Sequence, residues 1–179
     1  MPFLNMKKYL LISALALLCA TLKAQAPLDT LFEKRLSELE NKSRLKELVD
    51  TFSILADKKQ AQSQTMLFTE NATVETYQNS KLISKLSGRK EIGEAFERFL
   101  KNFETVYHFN GQYTVSITGN KAQGILYCMV YLINTENGKK MRTTIGVFYD
   151  DEYVFENGHW LISNRTSTFD WQDRNELFE

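Results

Sequence analysis

The sequence predicts an α+β fold in which helices come first and an antiparallel sheet follows. All eight glycines lie at Gly88 or later and no proline follows Pro27, so residues 28–87 contain no strong helix breaker. From residue 105 onward, long runs with strand character are separated by residue pairs that suit tight hairpins. These pairs are Gly119-Asn120, Asn137-Gly138 and Asn157-Gly158. Helices followed by hairpin-linked strands are typical of α+β domains with an antiparallel sheet.

A signal peptide is predicted over residues 1–26. Lys7 and Lys8 precede an apolar run that begins at Tyr9, and the small-residue triplet Ala24-Gln25-Ala26 follows that run. The apolar run has about 12 residues, against roughly 20 for a helix that spans a bilayer, so no stable membrane span is expected after cleavage. We therefore expect the mature protein to be secreted or periplasmic.

Cys19 leaves lipoprotein anchoring open as an alternative. It ends the apolar run, where an acylated cysteine would lie, but Leu17 and Leu18 occupy positions at which a lipobox has small residues. Cleavage after Ala26, the interpretation we favour, removes Cys19 and leaves Cys128 as the one cysteine. No intramolecular disulfide is then expected, although an exported protein could form one.

The charge distribution argues against nucleic acid as a partner. The whole chain has 22 basic and 22 acidic residues. Residues 1–26 contain three lysines and no acidic residue, so the mature chain has a formal charge of −3. No basic run is longer than Lys139-Lys140, and no basic stripe alternates with aromatic residues. Binding to nucleic acid depends on such clusters of positive charge.

Helical periodicity predicts an N-terminal extension over residues 27–42 and a longer helix after it. In the extension, Thr30 and Glu33 have capping-box spacing, and a helical stripe is formed by Leu31, Phe32, Leu36 and Leu39. A break is predicted at Asn41–Ser43. The apolar stripe of the next helix consists of Leu45, Leu48, Val49, Phe52, Leu55 and Ala56.

Three further elements are predicted before the hairpins begin. A short helix carries Met66, Leu67 and Phe68, and a strand covers residues 73–77, where side-chain polarity alternates. An amphipathic helix is then predicted over residues 88–103. Its apolar side consists of Ile92, Phe96, Phe99, Leu100 and Phe103.

Four strands complete the predicted sheet, and the second of them is apolar on both faces. The strands are expected over residues 105–118, 121–135, 140–156 and 159–169. Between Ala122 and Ile133, both alternating sets of side chains are apolar, so both faces must be covered. Helices can cover one face of a single sheet. The other face needs a second subunit or a lipid-like ligand, which predicts a homodimer.

A series of residues in register connects these elements to a known family. The residues are Ala56-Asp57, Leu67-Phe68-Thr69-Glu70-Asn71-Ala72, Gly88, Ile92, Phe96, His108-Phe109, Val115, Ile117, Gly119, Ala122, Tyr149-x-Asp151 and Gly158-x-Trp160-x-Ile162-x-x-Arg165. Together they resemble the SnoaL-like polyketide-cyclase family of the nuclear-transport-factor-2-like superfamily. The resemblance covers roughly residues 43–170, and we place the domain at residues 43–179.

The resemblance implies a cone-shaped, cystatin-like roll, in which a curved antiparallel sheet wraps around about three helices and encloses a pocket. Members of the superfamily include cofactor-independent dehydratases, isomerases and cyclases, and also binding modules without catalysis. We therefore expect an exported protein that binds a small hydrophobic or aromatic ligand. Catalysis as a lyase, isomerase or cyclase is one interpretation, and a non-catalytic ligand-binding or protein-interaction module is the alternative.

The resemblance also implies three catalytic residues. Carried over by position, Asp57 orients His108, which removes a proton, and Arg165 assists the leaving group. Each residue has a structural alternative: Asp57 could cap its helix, His108 could be a hydrogen-bonded core histidine, and Arg165 could pair with Asp151 or Asp170. Two distant histidines without acidic partners fall short of ligand spacing, so no metal site is expected, and no cofactor either.

Strand alternation predicts the substrate-binding wall of the pocket. Met129 and Tyr131 on one strand, Ile145 and Tyr149 on the next, and Val106 beside His108 are expected to line it. Core packing alone would also explain these side chains.

Overall fold

The computed structural model describes the backbone of residues 3–177 and the side chains of residues 30–177. The predicted signal peptide and Cys19 lie outside the described side chains. The elements of the described chain are α1 (Phe3–Asp57), α2 (Ala61–Thr65), β1 (Phe68–Gln78), β2 (Lys81–Ser87), α3 (Gly88–Leu100), β3 (Thr105–Thr118), β4 (Lys121–Glu136), β5 (Lys139–Glu156) and β6 (His159–Glu176). A search of this part of the chain finds no helix whose length and apolar character would let it span a membrane.

The chain divides into two compact units, residues 1–41 and residues 42–179. Helix α1 runs through the division, so the break predicted at Asn41–Ser43 is wrong. No glycine or proline lies there, and the Asn41 side-chain amide donates to the Ser37 carbonyl oxygen at 2.9 Å, which links consecutive helical turns. In the first unit, the apolar side chains of the predicted stripe are exposed. They are Leu31, Phe32, Leu36 and Leu39.

The helices of the second unit supply one side of its core. The stripe predicted for α1 is confirmed, since five of its six residues are buried and Leu55 is half-buried; the buried ones are Leu45, Leu48, Val49, Phe52 and Ala56. The short helix was misplaced, because α2 ends at Thr65, Met66 is exposed and the buried Phe68 begins β1. Helix α3 ends at Leu100, before the predicted end at Phe103.

The six strands form one sheet in the order β2-β1-β6-β5-β4-β3. The predicted α+β class is confirmed, but the sheet is mixed, because β1 pairs in parallel with β6. These strands stand at opposite ends of the domain sequence, and hairpin signals report only pairing between neighbours in the chain. Strand β6 also continues to Glu176, past the predicted end at Phe169.

The hairpin turns explain which strands could be predicted. Gly119, Gly138 and Gly158 have positive φ, as the three predicted turns require. Strand β2 was missed because its turn, Asn79-Ser80, contains no glycine, although both residues have positive φ of 50° and 60°. The turn therefore forms without the sequence signal that marks the other three.

The sheet of the second unit has an inner face, which packs on α1, and an outer face. On β4, Leu126, Cys128, Val130 and Leu132 are buried, whereas Ile125 and Tyr127 on the other side are exposed. Strand β4 pairs with β5 so that Val130 lies opposite Ile145 and Leu126 opposite Tyr149. Opposed residues of an antiparallel pair share a face. The smaller aliphatic set of β4 therefore forms the core.

Candidate functional site

A polar seam joins α1 to β3. Asp50, Ser53 and Asp57 lie on one face of the helix because they are three and four residues apart, and His108 and Asn110 share the inner face of β3. The Asn110 side-chain amide donates to Asp50 Oδ1 at 2.9 Å, and Ser53 Oγ donates to Asn110 Oδ1 at 3.0 Å. These bonds fix how the last turns of α1 lie on β3, and so they position Asp57 beside His108.

Asp57 and His108 form a hydrogen-bonded pair. Asp57 Oδ1 lies 2.7 Å from His108 Nδ1, and it also accepts the backbone N–H of His108 at 3.0 Å. The His108 side chain is only 8% exposed. Because an ionised carboxylate can only accept, a neutral imidazole in this contact carries its proton on Nδ1 and a lone pair on Nε2. The carboxylate of Asp57 is therefore directed at β3, and it does not cap the end of its own helix.

The His108 ring lines an apolar cavity of about 310 Å³ within the second unit. Most of the lining is aromatic or aliphatic and comes from α1, α3 and the inner face of the sheet. The lining residues are Phe52, Ala56, Gln64, Val74, Thr76, Ile83, Ser84, Leu86, Ala95, Phe96, Phe99, Leu100, His108, Tyr149, Arg165, Ser167 and Phe169. A cavity with a few convergent polar groups in an apolar wall is the usual form of a small-molecule site.

Arg165 reaches the same cavity from β6 and is paired with Asp151. Arg165 Nε and Nη2 donate to the two Asp151 carboxylate oxygens at 2.7 and 2.6 Å, and both side chains are buried. The guanidinium carbon lies 4.0 Å from the centroid of the Phe52 ring and 4.4 Å from that of Tyr149. Nη1 has no hydrogen-bond partner among the described residues. One edge of the guanidinium is thus committed to Asp151, and Nη1 remains a free donor.

The charge of Arg165 is secured by its neighbours. Burial acts to lower its pKa, but the Asp151 carboxylate more than offsets this and holds the pKa above its ordinary value. Burial raises the pKa of Tyr149 and of Tyr153, and it raises the pKa of the Cys128 thiol to about 12. These acids stay neutral near pH 7, so none of them supplies a base or a thiolate there. His108 is the candidate base of the described cavity lining.

The five predicted wall residues do not lie together. Tyr149 lines the cavity, and Val106 and Ile145 are buried on the inner face without reaching the lining. Met129 and Tyr131 lie on the outer face, because they oppose Gly146 and Thr144 in the register with β5. Their assignment to the same wall as Ile145 and Tyr149 is therefore wrong. The prediction placed the wrong alternating set of β4 on the face of Ile145 and Tyr149, because a shift of one residue between two strands reverses the face of every side chain.

Gln64 is a cavity residue that the sequence did not indicate. It lies on α2, is 2% exposed, and donates its amide N–H to the Phe52 carbonyl oxygen at 3.2 Å. Gln64 belongs to a short polar stretch, where no periodicity marks one glutamine as buried. Ser53, Asp50 and Asn110 were missed for a similar reason, since each owes its role to a contact across the helix–strand seam. No cluster of three or more potential metal ligands occurs among the side chains described.

An open α+β roll with an apolar cavity, and a histidine held by a carboxylate at its wall, defines a class of small domains with an internal pocket. The family described as SnoaL-like domain matches residues 37–166 of the chain, and the chain belongs to this family. Among curated proteins, none matches the sequence.

Solved structures show the same fold at low sequence identity. A proposed scytalone dehydratase from Novosphingobium aromaticivorans is 15% identical, with a TM-score of 0.68 over 79% of this chain and 91% of that one. A hexachlorocyclohexane dehydrochlorinase, LinA type 2, is 16% identical, with a TM-score of 0.65 over 80% and 93%. The β subunit of a proposed aromatic-ring-hydroxylating dioxygenase from N. aromaticivorans is 11% identical, with a TM-score of 0.64 over 75% and 92%. At these identities, the likeness establishes the fold.

Proposed function

We propose that this protein binds a small hydrophobic or aromatic molecule in the cavity and catalyses a cofactor-independent lyase, isomerase or cyclase reaction in which His108 is the base. The observation that carries the proposal is the 2.7 Å contact between Asp57 Oδ1 and His108 Nδ1, at the wall of an apolar cavity. A proposed dehydratase and a dehydrochlorinase share this fold, and both names describe elimination reactions of this kind, which supports the proposal.

The Asp57–His108 pair is suited to proton abstraction. Two bonds to Asp57, one from the ring and one from the backbone N–H, orient the imidazole and direct Nε2 away from α1. When Nε2 takes a proton from a ligand carbon, the carboxylate stabilises the imidazolium that forms. The electron pair of the broken C–H bond either expels a leaving group from the adjacent carbon or moves onto a carbonyl oxygen. The protonated His108 then returns the proton to the departing group or to another carbon.

Arg165 provides the complementary electrophilic group. Its free Nη1 donates to the oxygen or leaving group on which negative charge develops in the cavity. Because Asp151 and the two flanking rings hold the guanidinium in place, little reorganisation is needed when that charge appears.

Deuterium exchange tests the catalytic role of His108. A panel of small ring ketones with C–H bonds beside the carbonyl is incubated with the protein in D₂O, and deuterium uptake is measured by mass spectrometry. We expect uptake in at least one ketone with the wild type and with His159→Gln, which alters an exposed histidine at the start of β6. Uptake should be lost with His108→Gln. Equal uptake with His108→Gln would contradict the proposed base.

The alternative function, a non-catalytic ligand-binding or interaction module, is favoured by the outer face of the sheet. Phe109, Tyr127 and Trp171 are 60%, 54% and 47% exposed there. Exposed aromatic patches of this kind mark interaction surfaces. We propose that a second copy covers this face in a homodimer, because a two-fold axis brings the same patch of two identical chains together.

Export is a further part of the proposal. It is supported by the basic, apolar and small-residue order of residues 1–26. Expression of the full chain in a bacterial host, followed by intact mass measurement of the periplasmic fraction, tests it. Loss of about 26 residues is expected, whereas a lipid adduct on Cys19 would support the anchored alternative.

A further inference from the structure

Two residues of the cavity lining each carry a buried polar atom that has no hydrogen-bond partner among the described residues. These atoms are Gln64 Oε1 and Arg165 Nη1, on side chains that are 2% and 1% exposed. Both residues line the cavity that the His108 ring lines. Buried polar groups in native proteins are nearly always paired, so an unpaired acceptor and an unpaired donor on two lining residues point to the groups that an occupant of the cavity would offer.

The direction of the Gln64 amide is fixed by its other contact. Its Nε2 donates to the Phe52 carbonyl oxygen, which can only accept, so the amide nitrogen must face α1. The oxygen is then the amide atom left without a partner among the described residues. Gln64 Oε1 can accept a hydrogen bond but cannot donate one, and it therefore distinguishes a hydroxyl or N–H group from an ether, a halide or a hydrocarbon.

The charge of the lining favours a neutral occupant. Arg165 is the one Lys, Arg, Asp or Glu among the described lining residues, and its charge is balanced by the bidentate contact with Asp151. An anionic ligand would find no uncompensated cation there. A neutral oxygen that accepts from Nη1 would be bound without disturbing the ion pair.

We propose that Gln64 is a specificity-determining residue, which selects neutral, largely apolar ligands that carry a hydroxyl or N–H donor. Its Oε1 accepts from that donor while Arg165 Nη1 donates to a ligand oxygen. The inference rests on the proposed binding of ligands in this cavity, but it does not depend on catalysis. A site built to pair a ligand donor rejects the analogue without it, because the buried acceptor is then left unpaired.

Three probes of one skeleton test this preference by isothermal titration calorimetry at pH 7. The probes are 2-naphthol, which carries a donor, 2-methoxynaphthalene, which keeps the oxygen without the donor, and naphthalene. We expect the wild type to bind 2-naphthol about tenfold more tightly than its methyl ether, the size of one buried hydrogen bond. Gln64→Met keeps the length of the side chain and removes the acceptor, so it should abolish that preference while binding of the ether is retained.

Gln60→Met is the matched control, because Gln60 is an exposed glutamine next to the same short helix and makes no side-chain capping bond. It should keep the wild-type preference. A preference that is absent from the wild type, or that persists in Gln64→Met, would overturn the role of Gln64. If Gln64→Met does not fold, Gln64→Leu, which also lacks the acceptor, replaces it, and a preference that persists there overturns the inference.

The failure of the two proposals can be told apart. If none of the three probes binds the wild type, ligand binding in the cavity is contradicted together with the inference. If all three bind with equal affinity, the proposed binding function survives and only the role of Gln64 is overturned.

Discussion

Replacing Asp151 with asparagine is expected to lower the free energy of unfolding of the domain by about 3–5 kcal/mol, the usual cost of breaking a buried ion pair. The structure gives the reason for a value in that range. Asp151 is 0% exposed and accepts three hydrogen bonds, two from Arg165 and one from the Tyr153 hydroxyl at 3.0 Å. Asparagine keeps the shape of the side chain but removes its charge. Its NH₂ group would also face an N–H donor of Arg165, with which it cannot pair.

Urea denaturation followed by tryptophan fluorescence measures this effect, because Trp160 is buried in the same domain. The control is Glu97→Gln, which breaks the exposed i,i+4 ion pair with Lys101, whose atoms are 2.8 Å apart. Exposed pairs contribute little, so this variant should unfold at the wild-type urea concentration. The comparison separates loss of a buried charge partner from loss of any ion pair.

A double variant tests the cause. In Asp151→Leu/Arg165→Met, both charges are removed and the new methionine lies between the Phe52 and Tyr149 rings. Its loss of unfolding free energy should be smaller than the sum of the losses measured for Asp151→Leu and Arg165→Met separately, because neither charge remains buried alone. An additive result, or a loss below about 1 kcal/mol in Asp151→Asn, would refute the reasoning.

Three further predictions concern other parts of the domain. Burial raises the pKa of the Cys128 thiol from an ordinary 9.0 to about 12 in the folded domain. The neutral thiol therefore contributes to stability below pH 9, and this contribution is lost as pH rises toward 12, because the unfolded chain ionises first. The urea midpoint of unfolding should fall less steeply across this pH range in Cys128→Ala. Gly146→Ala places a methyl group against the Trp171 indole, which should swing outward and red-shift its emission, and unchanged emission would contradict the close packing. Phe109→Ser/Tyr127→Ser should shift the protein toward monomer in sedimentation equilibrium, and a wild type that is monomeric at every concentration would rule out the proposed dimer.

Local patterns in the sequence were sufficient for most of the fold. The α1 stripe and the hairpins at Asn137-Gly138 and Asn157-Gly158 depend on neighbouring residues alone, and they were predicted correctly. The parallel pairing of β1 with β6 joins distant segments, and no local pattern encodes it. The turn at Asn79-Ser80 lacks the glycine that marks the other hairpins, so β2 was missed.

The candidate site was predictable only in part, because a side chain's face depends on the exact pairing register. Residues of β4 are apolar on both sides, so hydrophobicity could not decide which set faces α1. The pairing of Val130 with the buried Ile145 places Val130 on the inner face, so its neighbour Met129 lies on the outer face. Gln64 depends on a contact with the Phe52 backbone, which links two elements that the sequence shows only as separate helices.

The geometry of Arg165 makes its structural role compatible with the proposed functional role. The sequence left open whether it assists a leaving group or simply pairs with Asp151. In the structure, Nε and Nη2 donate to Asp151, while Nη1 has no partner among the described residues. The pair fixes the plane of the guanidinium, and that plane determines where the remaining donor points. A lysine at this position would keep the charge but lack the planar fork, so it could not grip both oxygens of Asp151 and still present a donor in a fixed direction. The ion pair with Asp151 thus fixes the direction of the donor that we propose contacts a ligand.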